Sequence, residues 1–439
     1  MALLHPASVA ATLPELNLFS LPPTQTAVDS IYYVDTRPVS QVNGDNAPVE
    51  FGFGGEGRDY IDLSRSRLKV TVRIRHEANT DLAEDEIAVP VNLILHSMWS
   101  QVDVALGGRL MSQATGLYPY KSMIQTLLNY GTSCKSTQLM AQGFYKEDPD
   151  SMEKVTEDDN DAVFSKNELF QKSHVVDFEG PLLEDVLQMK RHLLNNIEVG
   201  VKLYPSASSF AILAADKTKK YKLELLDAIF KVCMVRVSPG IILGHAHALE
   251  TRNALYPFTG CEIKTYSIAK DNSSVNLDNV FQYTCPSKLV FGFVSAAAFN
   301  GDFTMNPFNF QNFDVSDVAV VVNGETVPGR PLKLDFAGTK GREYITSYLN
   351  MFEATGRMGT DFGNAITPAE FAKGNTLFVV NLDPQTKRGK YFNLVKRANV
   401  RIELRFKTPL PETVNIIVYA EHQALIEVDK TRNVMNARY

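Results

Sequence analysis

The chain has 439 residues, of which 44% are hydrophobic and 21% charged, with a net charge of −6, so it can fill a sizeable core and is not a disordered chain. No apolar run reaches the ~18 residues that a membrane-spanning helix needs, and the N-terminal segment lacks the basic start of a secretory signal. The four cysteines are scattered without a CxxC spacing, which disfavours a disulfide framework and a zinc site and leaves reduced intracellular thiols as the expectation.

The chain begins with an apolar arm over residues 1–28 that contains no Lys or Arg. Its large apolar side chains are Leu13, Leu16, Leu18, Phe19 and Leu21. Pro14, Pro22 and Pro23 exclude a long helix, so we expect the arm to dock on its own subunit, a partner subunit or a membrane surface. Proteins that grip nucleic acid usually carry a basic tail or patch, so direct nucleic-acid binding is disfavoured.

Strands dominate the first half. Apolar side chains at Leu68, Val70, Val72 and Ile74 alternate with polar ones, which predicts a half-buried strand. A second alternating run over residues 102–106 meets a Gly-Gly pair, which is typical of a tight hairpin turn. Further strands are predicted over residues 197–203 and 223–237, and Trp99 is expected in the first core.

One helix of the first half is well defined by its sequence. It begins at Pro119, ends before Gly131 and has a single apolar stripe, so it should lie against a sheet. Beyond it, residues 147–161 carry eight carboxylates against Lys154 alone. We interpret this acidic run as a solvated loop inserted into the first half.

The second half repeats this order of elements. Leu289 follows Leu68 at an offset of 221, Gly324 follows Gly108 at 216, and Phe406 follows Leu203 at 203. A helix with Ile345, Tyr348, Leu349 and Phe352 on one face and a long strand over residues 414–428 complete the match. Five matching elements in the same order indicate a tandem duplication of one antiparallel β domain.

The predicted fold is therefore all-β: a double jelly roll of two tandem eight-stranded antiparallel β-sandwich domains with a few short lateral helices. The expected boundaries are an N-terminal arm at 1–28, a first jelly roll at 29–240, a linker at 241–252, a second jelly roll at 253–435 and a C-terminal tail at 436–439.

Two motifs suggest chemistry. Residues 52–57 satisfy GxGxxG, but a strand follows where a nucleotide site needs a helix, so we interpret them as a glycine-rich loop. His245 and His247, with Glu250 close behind, would share one face of a strand, as a divalent metal site requires.

The histidine motif is similar to the first metal motif of cupins, although its spacing to Glu250 is shorter and the next histidine is His422. We therefore interpret the pair as part of a loop or strand end between the domains. The expectation is a protein without catalytic, cofactor-binding or metal residues and without a cofactor. A cupin-like or carbohydrate-binding β-sandwich protein remains the alternative.

Segments along most of residues 28–435 resemble the major capsid protein of Polinton (Maverick) elements and adintoviruses. The resembling segments are 60–64 (YIDLS), 90–93 (PVNL), 95–97 (LHS), 100–104 (SQVDV), 118–120 (YPY), 126–131 (TLLNYG), 298–301 (AFNG), 306–308 (NPF), 393–396 (NLVK), 410–415 (LPETVN) and 418–421 (VYAE). The arm and the acidic run lie outside the resemblance.

The resemblance implies a hexon-like structural subunit and no enzyme. Such a subunit forms a homotrimer, a pseudo-hexameric capsomer that contacts neighbouring capsomers, penton proteins and minor capsid proteins in an icosahedral virion. The expected location is the virion, assembled inside the host cell. An internal membrane contacted through the arm is a further expectation, and direct nucleic-acid contact is not.

Overall fold

The structure is a computed structural model that describes residues 5–40, 47–156, 160–282, 284–336, 342–383, 392–394 and 396–438. Part of the acidic run (157–159) and the last residue of the predicted tail lie outside the described residues. Strands in the first half are β1 (Val28–Thr36), β2 (Val49–Gly54), β3 (Asp59–His76), β4 (Ala88–Pro90), β5 (Trp99–Leu106), β6 (Arg109–Leu110), β7 (Val176–Gly180), β8 (Glu198–Pro205), β9 (Ile212–Ala214) and β10 (Tyr221–Val237).

Strands in the second half are β11 (Ala254–Ile268), β12 (Ser274–Phe281), β13 (Lys288–Ser295), β14 (Val315–Val322), β15 (Glu325–Lys333), β16 (Phe378–Asn381), β17 (Val400–Phe406), β18 (Val414–Val428) and β19 (Val434–Arg438). The α-helices are α1 (Ile94–Ser97), α2 (Tyr118–Asn129), α3 (Thr132–Lys135), α4 (Asp161–Phe170), α5 (Ser208–Ala211), α6 (Pro239–Leu249), α7 (Ala296–Asn300), α8 (Ile345–Ala354) and α9 (Pro368–Ala372).

Each half contains two antiparallel four-strand layers with the same strand order. Sheet 1A runs β1-β10-β3-β7 and sheet 1B runs β2-β8-β5-β6, while sheet 2A runs β11-β18-β13-β16 and sheet 2B runs β12-β17-β14-β15. Two further pairings lie outside these layers: β4 pairs with β9, and β19 adds to sheet 2A by pairing with β18. When β4, β9 and β19 are left out of the count, both halves read first-eighth-third-sixth and second-seventh-fourth-fifth. This arrangement is a jelly roll, so the predicted double jelly roll is confirmed.

The predicted repeats occupy equivalent places in the two halves. β3 matches β13, β8 matches β17 and β10 matches β18, while α2 and α8 both follow the fifth strand of their jelly roll. Both predicted hairpin turns have positive φ at their two central residues: Gly107 and Gly108 in one, Asn323 and Gly324 in the other. Glycine and asparagine tolerate this backbone, which matches the twist of the strands they join.

The two jelly rolls differ in how their A sheets are covered. From Ser66 to Arg75 of β3 the residues alternate between buried and half-buried, whereas every residue of β13 is buried. The first core fills the space between sheets 1A and 1B and includes the fully buried Trp99, as predicted. The second core extends past sheet 2A to the apolar stripe of α2, which belongs to the first half.

Candidate functional site

The histidine motif lies on α6 and does not form a strand or loop. Pro239 at the first turn starts this helix, a position that proline favours because its missing N–H is not needed there. Residues two apart on a helix point about 200° from one another, so the imidazoles of His245 and His247 diverge. The expectation of a loop or strand end was therefore wrong.

Each histidine has its own partner. His245 Nδ1 lies 3.0 Å from the Tyr60 hydroxyl, and His247 Nδ1 lies 3.3 Å from Glu250 Oε2 on the exposed side of α6. Over the described ranges, no group of three or more His, Cys, Asp or Glu side chains is placed to hold a metal ion.

The glycine-rich loop connects β2 directly to β3. Gly55 is needed there for space, because a Cβ would lie 2.2 Å from the Asp59 carbonyl oxygen. Gly57 has a φ of +57°, which favours glycine. The glycines of this motif therefore have structural reasons.

The most elaborate polar site lies where α2 crosses the outer face of sheet 2A. Lys121 on α2 forms buried ion pairs with Glu184 at 2.8 Å and Asp185 at 2.9 Å. Asp185 also accepts a hydrogen bond from the backbone N–H of Cys261 on β11 at 2.6 Å, and Gln125 donates to the Tyr419 hydroxyl on β18 at 3.2 Å. This inter-jelly-roll cluster fixes α2 to the second half.

Charge in this cluster is unevenly balanced. The pKa of Glu184 is raised to about 7, mainly by burial. The negative charge of Asp185 also raises this pKa, and the positive charge of Lys121 lowers it. The pKa of Lys121 lies above its ordinary value because the attraction of Asp185 and Glu184 outweighs the effect of burial. Two carboxylates thus share one ammonium, and burial disfavours the second negative charge.

An aromatic cluster extends the contact beside this polar site. The ring of Tyr120 on α2 packs against rings of both halves with centroid distances of 5.5 to 6.4 Å. Its partners are Phe210, Phe299, Phe308 and Phe310. Because these rings interlock across the boundary, the two jelly rolls share one apolar core at this point.

The acidic run is solvated in part, as predicted, because Asp148, Asp150 and Asp161 are exposed, but it also contributes to the same contact. Glu147 is buried and bridges Lys166 at 3.0 Å and the Asn306 amide of the second half at 2.7 Å. Glu153 accepts the backbone N–H of Asn306 at 3.0 Å, and Met152 is buried. Charge counting missed this role because burial of a carboxylate depends on a partner far away in sequence.

No described helix covers the outer face of sheet 1A as α2 covers sheet 2A. Its outer face carries ion pairs between neighbouring strands: Lys69–Asp177 at 2.8 Å, Lys231–Glu179 at 2.7 Å and Arg73–Glu224 at 2.6 Å. Apolar side chains also reach solvent on this sheet, and Ile31 on the edge strand β1 is 46% exposed. The first jelly roll therefore leaves open the surface that the second one has covered.

The N-terminal arm is equally open. Its apolar side chains are solvent-exposed, and Phe19 is fully exposed. Its only regular element is one 3₁₀ turn over Pro14–Leu16 among the described arm residues. None of the helices in the described part of the chain is long and apolar enough to cross a membrane.

No known family model matches the chain. An uncharacterized protein of Caenorhabditis elegans is 28% identical over 429 residues, which cover 94% of this chain and 98% of that protein. In the solved structure of the Sputnik virophage, one chain matches with a TM-score of 0.62 at 12% identity, covering 98% of this chain and 93% of its own. The Faustovirus major capsid protein matches with a TM-score of 0.61 at 8% identity, covering 93% and 92%.

These solved structures are double jelly-roll major capsid proteins of viruses. The chain has their fold. At such low identity the likeness extends to architecture alone, and the strand order of both jelly rolls agrees with it.

Proposed function

We propose that this protein is a major capsid protein whose homotrimers form pseudo-hexameric capsomers of an icosahedral virion shell. The observation that carries the proposal is the unequal cover of the two A sheets. Sheet 2A is covered by α2 of the preceding jelly roll, whereas the equivalent sheet 1A is open.

The second jelly roll has the element to cover the open sheet of another copy. α8 is the counterpart of α2, yet only Ser347 and Met351 of its residues are buried, and Leu349 is 40% exposed. If α8 packs on sheet 1A of a second copy as α2 packs on sheet 2A, the contact is heterologous and repeats from copy to copy. With a rotation of about 120° between copies, such a contact closes into a ring of three, whose six jelly rolls suit a hexagonal lattice site.

The finer assignment rests on the resemblance. The segments matching Polinton and adintovirus capsid proteins support an origin in an element of that kind, and the full-length relative in an animal supports it further. We propose the division into arm, two jelly rolls, linker and tail at the boundaries given above. All strand pairs between described residues join strands of the same half, which supports a boundary between β10 and β11.

The remaining partners follow from this proposal. Neighbouring capsomers, penton proteins and minor capsid proteins would contact the trimer, and an internal membrane would be met through the apolar arm. The arm has no Lys or Arg, which supports a shell that makes no direct contact with nucleic acid. The proposed location is the virion, and the proposed role is structural without catalysis, cofactor or metal.

Size measurement and electron microscopy of the expressed full chain test the proposal. We expect particles of three times the chain mass with a pseudo-hexagonal outline, or closed shells. A protein that remains monomeric at every concentration would instead favour a carbohydrate-binding or other β-sandwich module. A stoichiometric bound metal in the purified protein would favour the cupin-like alternative.

A further inference from the structure

Helix α6 presents an unusually apolar surface to solvent. Its eleven residues, Pro239–Leu249, include no Asp, Glu, Lys or Arg, and of them only Leu249 is buried. Leu243 is 70% exposed. A surface helix normally carries charge on its outer face, so an uncharged exposed helix indicates a contact with another chain segment.

A cavity of about 640 Å³ lies against this helix. Its apolar wall includes Val28, Val237 and Ile241, and Leu249 closes its side. Cationic side chains line the same space: Lys190, Arg191 and Arg252.

None of these three cations has an acidic partner among the described residues. Arg191 donates to the Leu255 carbonyl oxygen at 2.6 Å, and Lys190 and Arg252 form no ion pair with any described residue. The cavity therefore combines an apolar wall with uncompensated positive charge. An occupant with apolar side chains and a carboxylate would complement both features.

The N-terminal arm has this composition, and it leaves the jelly roll at the same place. Glu15 is the one charged side chain of residues 1–28 and lies among the apolar residues 13–21. The Ser238 N–H donates to the Ala27 carbonyl oxygen at 2.9 Å, and Ala27 itself lines the cavity. Arm and cavity are therefore neighbours in every copy.

We propose that residues 13–21 of the arm of a second copy occupy this cavity and cover α6, so that assembled copies exchange arms. Pro22 and Pro23 favour an extended backbone before Ala27, and no described arm residue before Ala27 lines the cavity of its own chain. Fifteen extended residues reach about 50 Å, enough to span to a neighbouring chain. This inference rests on the self-association in the proposed function.

Cross-linking between separately labelled copies tests the exchange. One population carries Leu18→Cys and the other Leu243→Cys; both side chains are exposed, so neither change should disturb the fold. The populations are coexpressed and treated with a short bismaleimide, and each single variant alone measures the background of the native cysteines. We expect a two-chain band that is strong only in the mixture.

Reversing the charge at Arg252, and then at Glu15, provides a second measurement. Arg252→Glu should lower the yield of this cross-link about fivefold, and Glu15→Arg on the arm-bearing copy should restore it. A cross-link that requires both cysteines on one chain would overturn the proposal in favour of docking on the arm's own cavity.

A vesicle-binding assay tests the remaining alternative, in which residues 13–21 of the arm bind a membrane surface. Flotation with phosphatidylserine vesicles that depends on residues 13–21, together with no cross-link between copies, would overturn the proposal in favour of a membrane surface. Trimers that persist without the cross-link would refute arm exchange alone. Failure of the unmodified chain to form trimers would refute the proposed function itself.

Discussion

Glu147 and Asp148 are neighbours in the acidic run, yet Glu147 is buried against Lys166 whereas Asp148 is exposed to solvent. Identical charge thus has different consequences at adjacent positions. A buried ion pair depends on both partners, because removal of one leaves the other charged and without compensation. An exposed carboxylate keeps its hydration and has little effect on stability.

Replacing Glu147 with alanine should therefore lower the free energy of unfolding by about 3–5 kcal/mol, because Lys166 would lose its buried counterion. The matched control Asp148→Ala loses only an exposed hydrogen bond from the Asp150 N–H and should change it by at most about 1 kcal/mol. Urea denaturation of the three proteins, followed by circular dichroism, measures both values. Equal stabilities of the two variants would contradict the buried role of the acidic run.

Glu184 predicts a pH dependence of stability. Its pKa is raised from the ordinary 4.5 to about 7 in the folded chain, so the folded state binds more protons than the unfolded state between these values. The free energy of unfolding contributed by this group is therefore fully present below pH 4.5 and is lost as the pH rises through 7.

Glu184→Gln removes this titration while keeping a side chain of similar size. Relative to the unmodified chain, the variant should gain stability as the pH rises from 4.5 to 7. Denaturation midpoints measured in parallel across this range supply the comparison. A difference between the two proteins that does not change with pH would show that Glu184 does not titrate there.

At the scale of elements, α2 and α8 are counterparts in sequence order but differ in burial. Ten residues of α2 are buried because it lies between its own jelly roll and sheet 2A. α8 has two buried residues and leaves Leu349 on an open face. Both helices have an apolar stripe, and the position of the neighbouring sheet makes their burial different.

Ile124→Ala on α2 should lower the free energy of unfolding by about 2–5 kcal/mol, because it leaves a cavity between the two jelly rolls. Leu349→Ala on α8 should leave the separate chain nearly unchanged and weaken association between copies. Thermal unfolding at low protein concentration reports the first effect, and sedimentation over a concentration series reports the second. A Leu349→Ala chain that associates as strongly as the unmodified chain would count against the role of α8.

At the scale of the whole molecule, the repeat of jelly rolls leaves one A sheet covered and one open. Ile31→Asp places a charge on the open sheet 1A and should yield a folded chain that does not form trimers. Val39→Asp is the control, since Val39 is also exposed but follows β1 outside the sheet. Light scattering after size-exclusion chromatography distinguishes the outcomes, and a trimeric Ile31→Asp chain would exclude sheet 1A from the contact.

The sequence by itself determined the local elements and their repetition. Alternation at Leu68–Ile74 and the two positive-φ turns are set by neighbours along the chain, and for that reason they were predicted correctly. The strand β13 was predicted as the counterpart of β3, but no local pattern indicated that an element of the other half covers it. The helix of residues 239–249 was missed because the HxH motif was interpreted as part of a strand or loop.

Only the tertiary structure decided which surfaces are covered. Lys121 meets Asp185, and Glu147 meets Asn306, across sequence distances that no periodic pattern records. The same applies to the cavity beside α6, which forms where elements of both halves meet, and to the exposed outer face of sheet 1A. Burial is a property of the packed chain, and burial determines which charges stabilise the fold and which surfaces remain for assembly.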